Sequence, residues 1–163
     1  MPTQTPTQAM LELLSRRCIA SLATENNDGS IHLTAVWILF EDGAIHVATS
    51  SRSRKARNLA ERRKATVMVD IRKPGKESGV TVSGSTELMV GPQSLAINQR
   101  IHNKYLSAAA LADPHVVPVF TSFDDATIRI TPISWFSWNM AEVDAQFFGG
   151  RLAANPGYLL PLD

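Results

Sequence analysis

Cysteine is almost missing from this chain. Cys18 stands alone among 163 residues, so neither an internal disulfide nor a cysteine-cluster metal site can form. A reducing, cytoplasmic setting fits that usage. An excess of one charge is missing too. Sixteen Lys and Arg against fifteen Asp and Glu leave a formal net charge of +1, which gives no global bias toward nucleic acid or acidic partners. No apolar run approaches the roughly 20 residues that a membrane-crossing helix needs. The opening MPTQTPTQ, residues 1–8, is polar and has no basic segment ahead of an apolar stretch. It reads as a loose arm and not as a secretory signal. There is no internal repeat, and no GxSxG, GxGxxG or Walker motif, which removes the usual signatures of a nucleophile elbow and of a nucleotide cradle.

Several chemistry-bearing residues fail to group. His32, His46, His102 and His115 have no metal-ligand spacing with one another or with carboxylates. His32 and His46 fall on strands read as paired, close enough to approach each other, but ordinary strand positions explain both. Asp124 and Asp125 are adjacent, so on a strand they point opposite ways and make no acid/base pair. Cys18, in an apolar segment, reads as a small buried hydrophobe.

What is present is one domain's worth of chain, long enough to bury a core without staples. Residues 9–17 place Met10, Leu13 and Leu14 on one helical face. Residues 18–24, 30–40 and 44–49 read as strands joined by NNDG and EDG turns, where Asn, Asp and Gly tolerate positive φ. A basic helix of about three turns follows. Residues 64–72 and 80–90 are strands around a flexible loop at 73–79, and Gly84 marks a bulge or a close backbone approach. Residues 92–109 read as a helix with Pro92 at its start, 111–120 as a loop broken by Pro114 and Pro118, and 125–140 as a last strand with an irregularity at Pro132. Neighbouring strands and short turns favour an antiparallel barrel over a parallel wound sheet. The expected organisation is an arm (1–8), a domain (9–140) and an aperiodic tail (141–163).

The stretch TSSRSRKARNLAERRK, residues 49–64, crowds cations into a nearly neutral protein. With Ser51 or Ser53 as N-cap, Arg54, Lys55 and Arg57 fall near the helix N-terminus, where the macrodipole already carries about +0.5 charge. A helix built for solubility would place acids there. An anion bound at that end reverses the balance, because free N–H groups, hydroxyls and a Lys or Arg form a phosphate site. Thr49, Ser50 and Ser51 supply hydroxyls. A solvated basic face and a nucleic-acid contact are the rival readings. The latter would want aromatics between the cations, and none interrupt this run.

The order of parts, TAVWILFEDGAIHVATSSRSRKARNLAERRKATVMVD followed by VTVSGSTELM, resembles the split β-barrel flavin-binding superfamily of pyridoxamine 5′-phosphate oxidase. Within it the chain looks most like the branch that uses FMN or coenzyme F-420. The resemblance spans roughly residues 10–140. It implies a mainly β fold with flanking helices, a six-stranded antiparallel split β-barrel. It also implies a homodimer with the cofactor at the subunit interface, a small-molecule substrate, and neither nucleic acid nor membrane as partner. By the same resemblance, Thr49, Ser50 and Ser51 hold the cofactor phosphate and Lys55 pairs with it. Arg54 and Arg57 line the adjoining groove, Asn58 binds cofactor or caps local backbone, and Thr34, Ala35, Val36 and Trp37 lie against the ring. Trp135 and Trp138, on opposite faces of the last strand, supply one residue that covers the ring from the partner chain, with Trp138 placed among the site residues. The implied activity is hydride transfer by FMN or F-420 to or from a small conjugated or aromatic substrate. The alternative is a flavin-, deazaflavin- or haem-binding protein without turnover. The basic substrate-phosphate motif at the C-terminus of the vitamin B6 oxidases is not found in DAQFFGGRLAANPGYLLPLD.

Overall fold

A computed structural model of the chain describes residues 5–161. Its centre is one sheet of seven strands: β1 (Ala20–Glu25), β2 (Ile31–Val36), β3 (Leu39–Glu41), β4 (Ala44–Thr49), β5 (Lys64–Ile71), β6 (Ser78–Val90) and β7 (Ala126–Asn139). The order across the sheet is β2-β1-β5-β6-β7-β4-β3, with every neighbouring pair antiparallel.

The seventh strand arises from a break. The stretch 30–40, read as one strand, is interrupted at Trp37 and Ile38, and its halves pair at opposite ends of the sheet. This segment therefore joins the two edges and turns the sheet into a barrel. Breaking the ladder frees backbone groups that need partners. Here Ile38 donates its N–H to the Tyr105 hydroxyl (3.3 Å), and its carbonyl accepts from Lys104 Nζ (3.0 Å). The break also separates the two histidines: β2 and β4 are not paired strands. His32 lies opposite Thr24, and His46 opposite Leu39 and Arg129.

Local chemistry accounts for the turns. Asp42 and Gly43 have φ of 52° and 71°, and they join Glu41 to its ladder partner Ala44, as a two-residue hairpin with positive φ requires. In the β6–β7 ladder, Ser83 faces Ser134 but Gly84 faces Pro132, so Ile133 is the extra residue of a bulge. A Cβ on Gly84 would collide with the Thr131 carbonyl. The glycine and proline thus mark the same irregularity from its two strands.

Helix α1 (Gln8–Ser15) buries Met10, Leu13 and Leu14 against the barrel core of Leu22, Ile45, Val67, Val80 and Ile128. Thr7 caps it by accepting the Met10 N–H (3.3 Å), so the helix begins inside the stretch read as an arm; the first four residues of that arm lie outside the described residues. Helix α2 (Arg54–Glu61) spans about two turns instead of three. Helix α3 (Pro92–Tyr105) starts at Pro92, as expected, and stops before Leu106. The segment read as a loop forms α4 (Ala108–Ala112) and α5 (Val117–Phe123). Pro118 lies in the first turn of α5, where a missing N–H costs little. The tail folds as α6 (Met140–Val143), a π turn (Asp144–Phe148) and α7 (Arg151–Ala154). Buried Asp144 ties these pieces together by accepting the N–H groups of Leu152 (3.0 Å) and Ala153 (2.9 Å). Among the described residues no helix is long and apolar enough to cross a membrane.

Candidate functional site

A cleft of about 280 Å³ opens at the corner between β2 and β3, lined by Ile19, Ala35, Val36, Trp37, Ala48, Lys55 and Phe120. Three segments distant in sequence meet there. The broken strand supplies Ala35 to Trp37, the first turn of α2 supplies Lys55, and α5 supplies Phe120. Trp37 is held by aromatic packing: its ring stacks on Tyr105 with centroids 4.9 Å apart and on Phe120 at 5.5 Å. Tyr105 is itself anchored by donating its hydroxyl to the Cys18 carbonyl (2.7 Å). Cys18 is partly buried against the core, a weaker burial than the sequence suggests.

Lys55 is the charged group of this cleft. It is half-buried and makes no hydrogen bond or ion pair with the described residues. Loss of hydration pulls its ammonium below the usual lysine range, and the negative charge of Asp124 opposes that shift. A desolvated cation without a partner, facing apolar walls, is equipped to receive an anionic group.

The other residues of the basic stretch have different duties. Ser53, not Ser51, caps α2, accepting the Ala56 N–H at 3.2 Å. Buried Thr49 shares a hydrogen bond with the Ser53 hydroxyl (3.0 Å), and the Ser50 hydroxyl accepts the Arg52 N–H (3.2 Å). Ser51 gives both its N–H (2.6 Å) and its hydroxyl (2.7 Å) to Asp125. That carboxylate is held below its ordinary range by these two bonds. Thr49 and Ser51 therefore have partners within the chain, whereas the Ser50 hydroxyl only accepts. Arg54 and Arg57 are exposed. Arg62 pairs with Glu25 (3.3 Å) and Glu61 (3.4 Å) beyond the end of the helix.

Asn58 is buried and structural. Its amide donates to Thr24 Oγ1 (3.1 Å) and Asn26 Oδ1 (2.9 Å), tying α2 to β1 and its turn. Asn58→Ala is expected to cost about 1–3 kcal/mol, because it leaves buried acceptors unpaired. Urea unfolding at constant slope measures this, and an unchanged midpoint would refute the role.

Thr34 pairs opposite the fully buried Leu22 and so faces inward. Its hydroxyl oxygen is buried there without a partner among the described residues, while Ala35 turns outward into the cleft. The two tryptophans of β7 separate as expected. Trp135 packs on the core, edge-on to Phe40 at 6.4 Å. Trp138 lies against Gly79, in a groove it shares with Met10 and Leu13 of α1 and that Lys55 does not line.

Phe120 was invisible in the sequence because its segment reads as a loop. The usable signal was Pro118, which suits a helix start as well as a turn. Adjacent Asp124 and Asp125 do point apart: one binds His102 (2.8 Å), the other Ser51.

A crystal structure of a conserved hypothetical protein, Rv2991, from Mycobacterium tuberculosis superposes with a TM-score of 0.71 at 22% identity, covering 88% of this chain and 91% of that one. An F420 reductase superposes at 0.63 with 20% identity, covering 81% and 98%. HupZ of Group A Streptococcus superposes at 0.60 with 15% identity, covering 82% and 94%. At such identities these likenesses establish the fold. A comparison with curated proteins finds no match. The family profile described as pyridoxamine 5′-phosphate oxidase matches residues 6–139, the whole barrel with α1. By that match the chain belongs to the pyridoxamine 5′-phosphate oxidase family.

Proposed function

We propose that the protein is an oxidoreductase that binds FMN or coenzyme F-420 in the cleft at Lys55. The observation that carries this reading is Lys55 itself: a half-buried ammonium with no partner among the described residues, set against apolar and aromatic walls. Such a pair of surfaces suits a flat ring joined to a phosphate. The bound cofactor would supply hydride transfer to or from a small conjugated or aromatic substrate. The chain's own part is to bind and orient. Lys55 holds the phosphate, Ala35 and Val36 flank the ring, and Trp37 is kept in place by Tyr105 and Phe120. Arg52, Arg54 and Arg57 are exposed neighbours of Lys55 in the chain, and this concentration of positive charge favours the acidic tail of F-420 over the shorter FMN. The F420 reductase among the structural neighbours agrees with that preference.

Two fluorescence titrations, one with each cofactor, test the reading. Tight binding of either supports it, and binding of neither refutes it. Turnover with a reductant and an acceptor separates an enzyme from a binding protein on the same fold.

We also propose that the working unit is a homodimer with this cleft at its interface. The outward face of β2 exposes Ile31 and Leu33, each 63% accessible, and Ile31 shares a groove with the exposed Ile133 of the β7 bulge. Apolar surface of this kind marks a protein contact. Leu33→Glu is expected to convert a dimer to a monomer in light scattering at micromolar concentration. A wild-type monomer, or a variant that still dimerises, would count against the interface.

A further inference from the structure

We propose that the cavity between α3, α4 and α5 binds a small, mainly apolar molecule carrying an O–H or N–H donor, which His102 receives. The site shares no lining residue with the cofactor cleft, and binding there needs no cofactor.

The cavity measures about 640 Å³, larger than the cleft at Lys55. Leu95, Leu111 and Val117 make an apolar wall, while His102, Asp124 and Gln99 make a polar one. This combination of apolar lining and a few convergent polar groups is the usual make-up of a small-molecule site.

His102 is 5% exposed, yet it borders the cavity. Its Nε2 lies 2.8 Å from Asp124 Oδ2. A carboxylate accepts, so Nε2 donates, and in the neutral imidazole Nδ1 is left as the acceptor. That Nδ1 makes no hydrogen bond with the described residues, and His102 is one of the residues that line the cavity. The dyad is also held from behind. The Asp124 carbonyl accepts from Asn98 Nδ2 (2.8 Å), and Asn98 Oδ1 accepts from the buried Thr127 hydroxyl (2.7 Å). A carboxylate that fixes one ring nitrogen of a histidine orients the other for a partner.

Phe120 is the partition. Its ring lies 5.1 Å from His102 on the cavity side and 5.5 Å from Trp37 on the cleft side. Asp124 likewise bonds to His102 and acts electrostatically on Lys55. The cavity therefore sits beside the proposed cofactor site without being part of it.

Phenol is a suitable probe, with toluene as a probe of the same shape that lacks the donor. Histidine-selective ¹⁵N-labelled protein is titrated with each, and the His102 ring signals are assigned through their proximity to Phe120. The expected result is a saturable shift of the His102 nitrogens by phenol, with an affinity of about millimolar or tighter for so small a ligand. Toluene at the same concentrations should leave these nitrogens largely unmoved. Leu111→Trp adds bulk to the cavity from α4, at a residue whose side chain makes no hydrogen bond to the dyad. It should weaken phenol about tenfold or more while the His102 signals of the free variant stay in place. No saturable shift, equal effects of phenol and toluene, or undiminished phenol binding by Leu111→Trp would each overturn the proposal.

Discussion

Lys55→Met should weaken FMN or F-420 binding about 10- to 100-fold, the equivalent of one charge-assisted hydrogen bond of roughly 1.5–3 kcal/mol, and should leave the fold intact or firmer. The two halves of this result have the same cause. Lys55 is half-buried, makes no hydrogen bond or ion pair with the described residues, and its pKa is lowered chiefly by desolvation. A lysine whose folded pKa lies below its unfolded value holds fewer protons when folded over the interval between the two. Wild-type stability then rises with pH as the solution passes the folded pKa toward 10.5. At neutral pH the charge opposes folding. Methionine keeps the apolar stem and removes that charge, so the variant should lose the alkaline rise in stability and melt no lower than the wild type at pH 7. Cofactor titration and thermal melts at pH 7 and pH 10 check both halves. Unchanged affinity would sink the phosphate role. A large loss of stability would instead make Lys55 a structural residue.

Gly84→Ala should destabilise the protein by about 3 kcal/mol, at the upper end of ordinary overpacking. The added methyl would meet the Thr131 carbonyl and carbon, with Ile130 behind them. A backbone carbonyl in a ladder cannot swing aside as a side chain can. The alternative is to shift β7 against β6 and disturb the bulge that the ladder accommodates at Ile133. Gly157→Ala is the control, because nothing lies within 4 Å of a Cβ there. Urea denaturation of the two variants should show a lowered midpoint for the first and none for the second. Equal midpoints would show that the ladder relaxes at no cost.

How far the sequence reaches can be read from particular residues. Hairpin turns were legible because positive φ is a local demand, met by Asp42 and Gly43. Met10, Leu13 and Leu14 announced the buried face of α1 by their spacing. Gly84 and Pro132 announced a bulge by what they lack, a side chain and an N–H. The candidate site was legible only in part. Lys55 and residues 34–37 were found through the order of parts, and the structure brings Lys55 and residues 35–37 into one cleft but turns Thr34 inward. Phe120 was missed, and the hydroxyls of Thr49 and Ser51 are taken up by Ser53 and Asp125.

Composition, spacing and turn chemistry by themselves determined an antiparallel barrel with a cationic helix start, because these follow from near-neighbour sterics and from the period of burial. Only the tertiary structure decided where the long strand breaks, which is where α3 can supply Tyr105 and Lys104 to the freed backbone of Ile38. It alone decided that Asp125, 74 residues away in the chain, would take the donors of Ser51, and that His102 would meet Asp124. Hydrogen-bond partners so far apart leave no trace in local pattern, because either residue alone looks like ordinary polar surface.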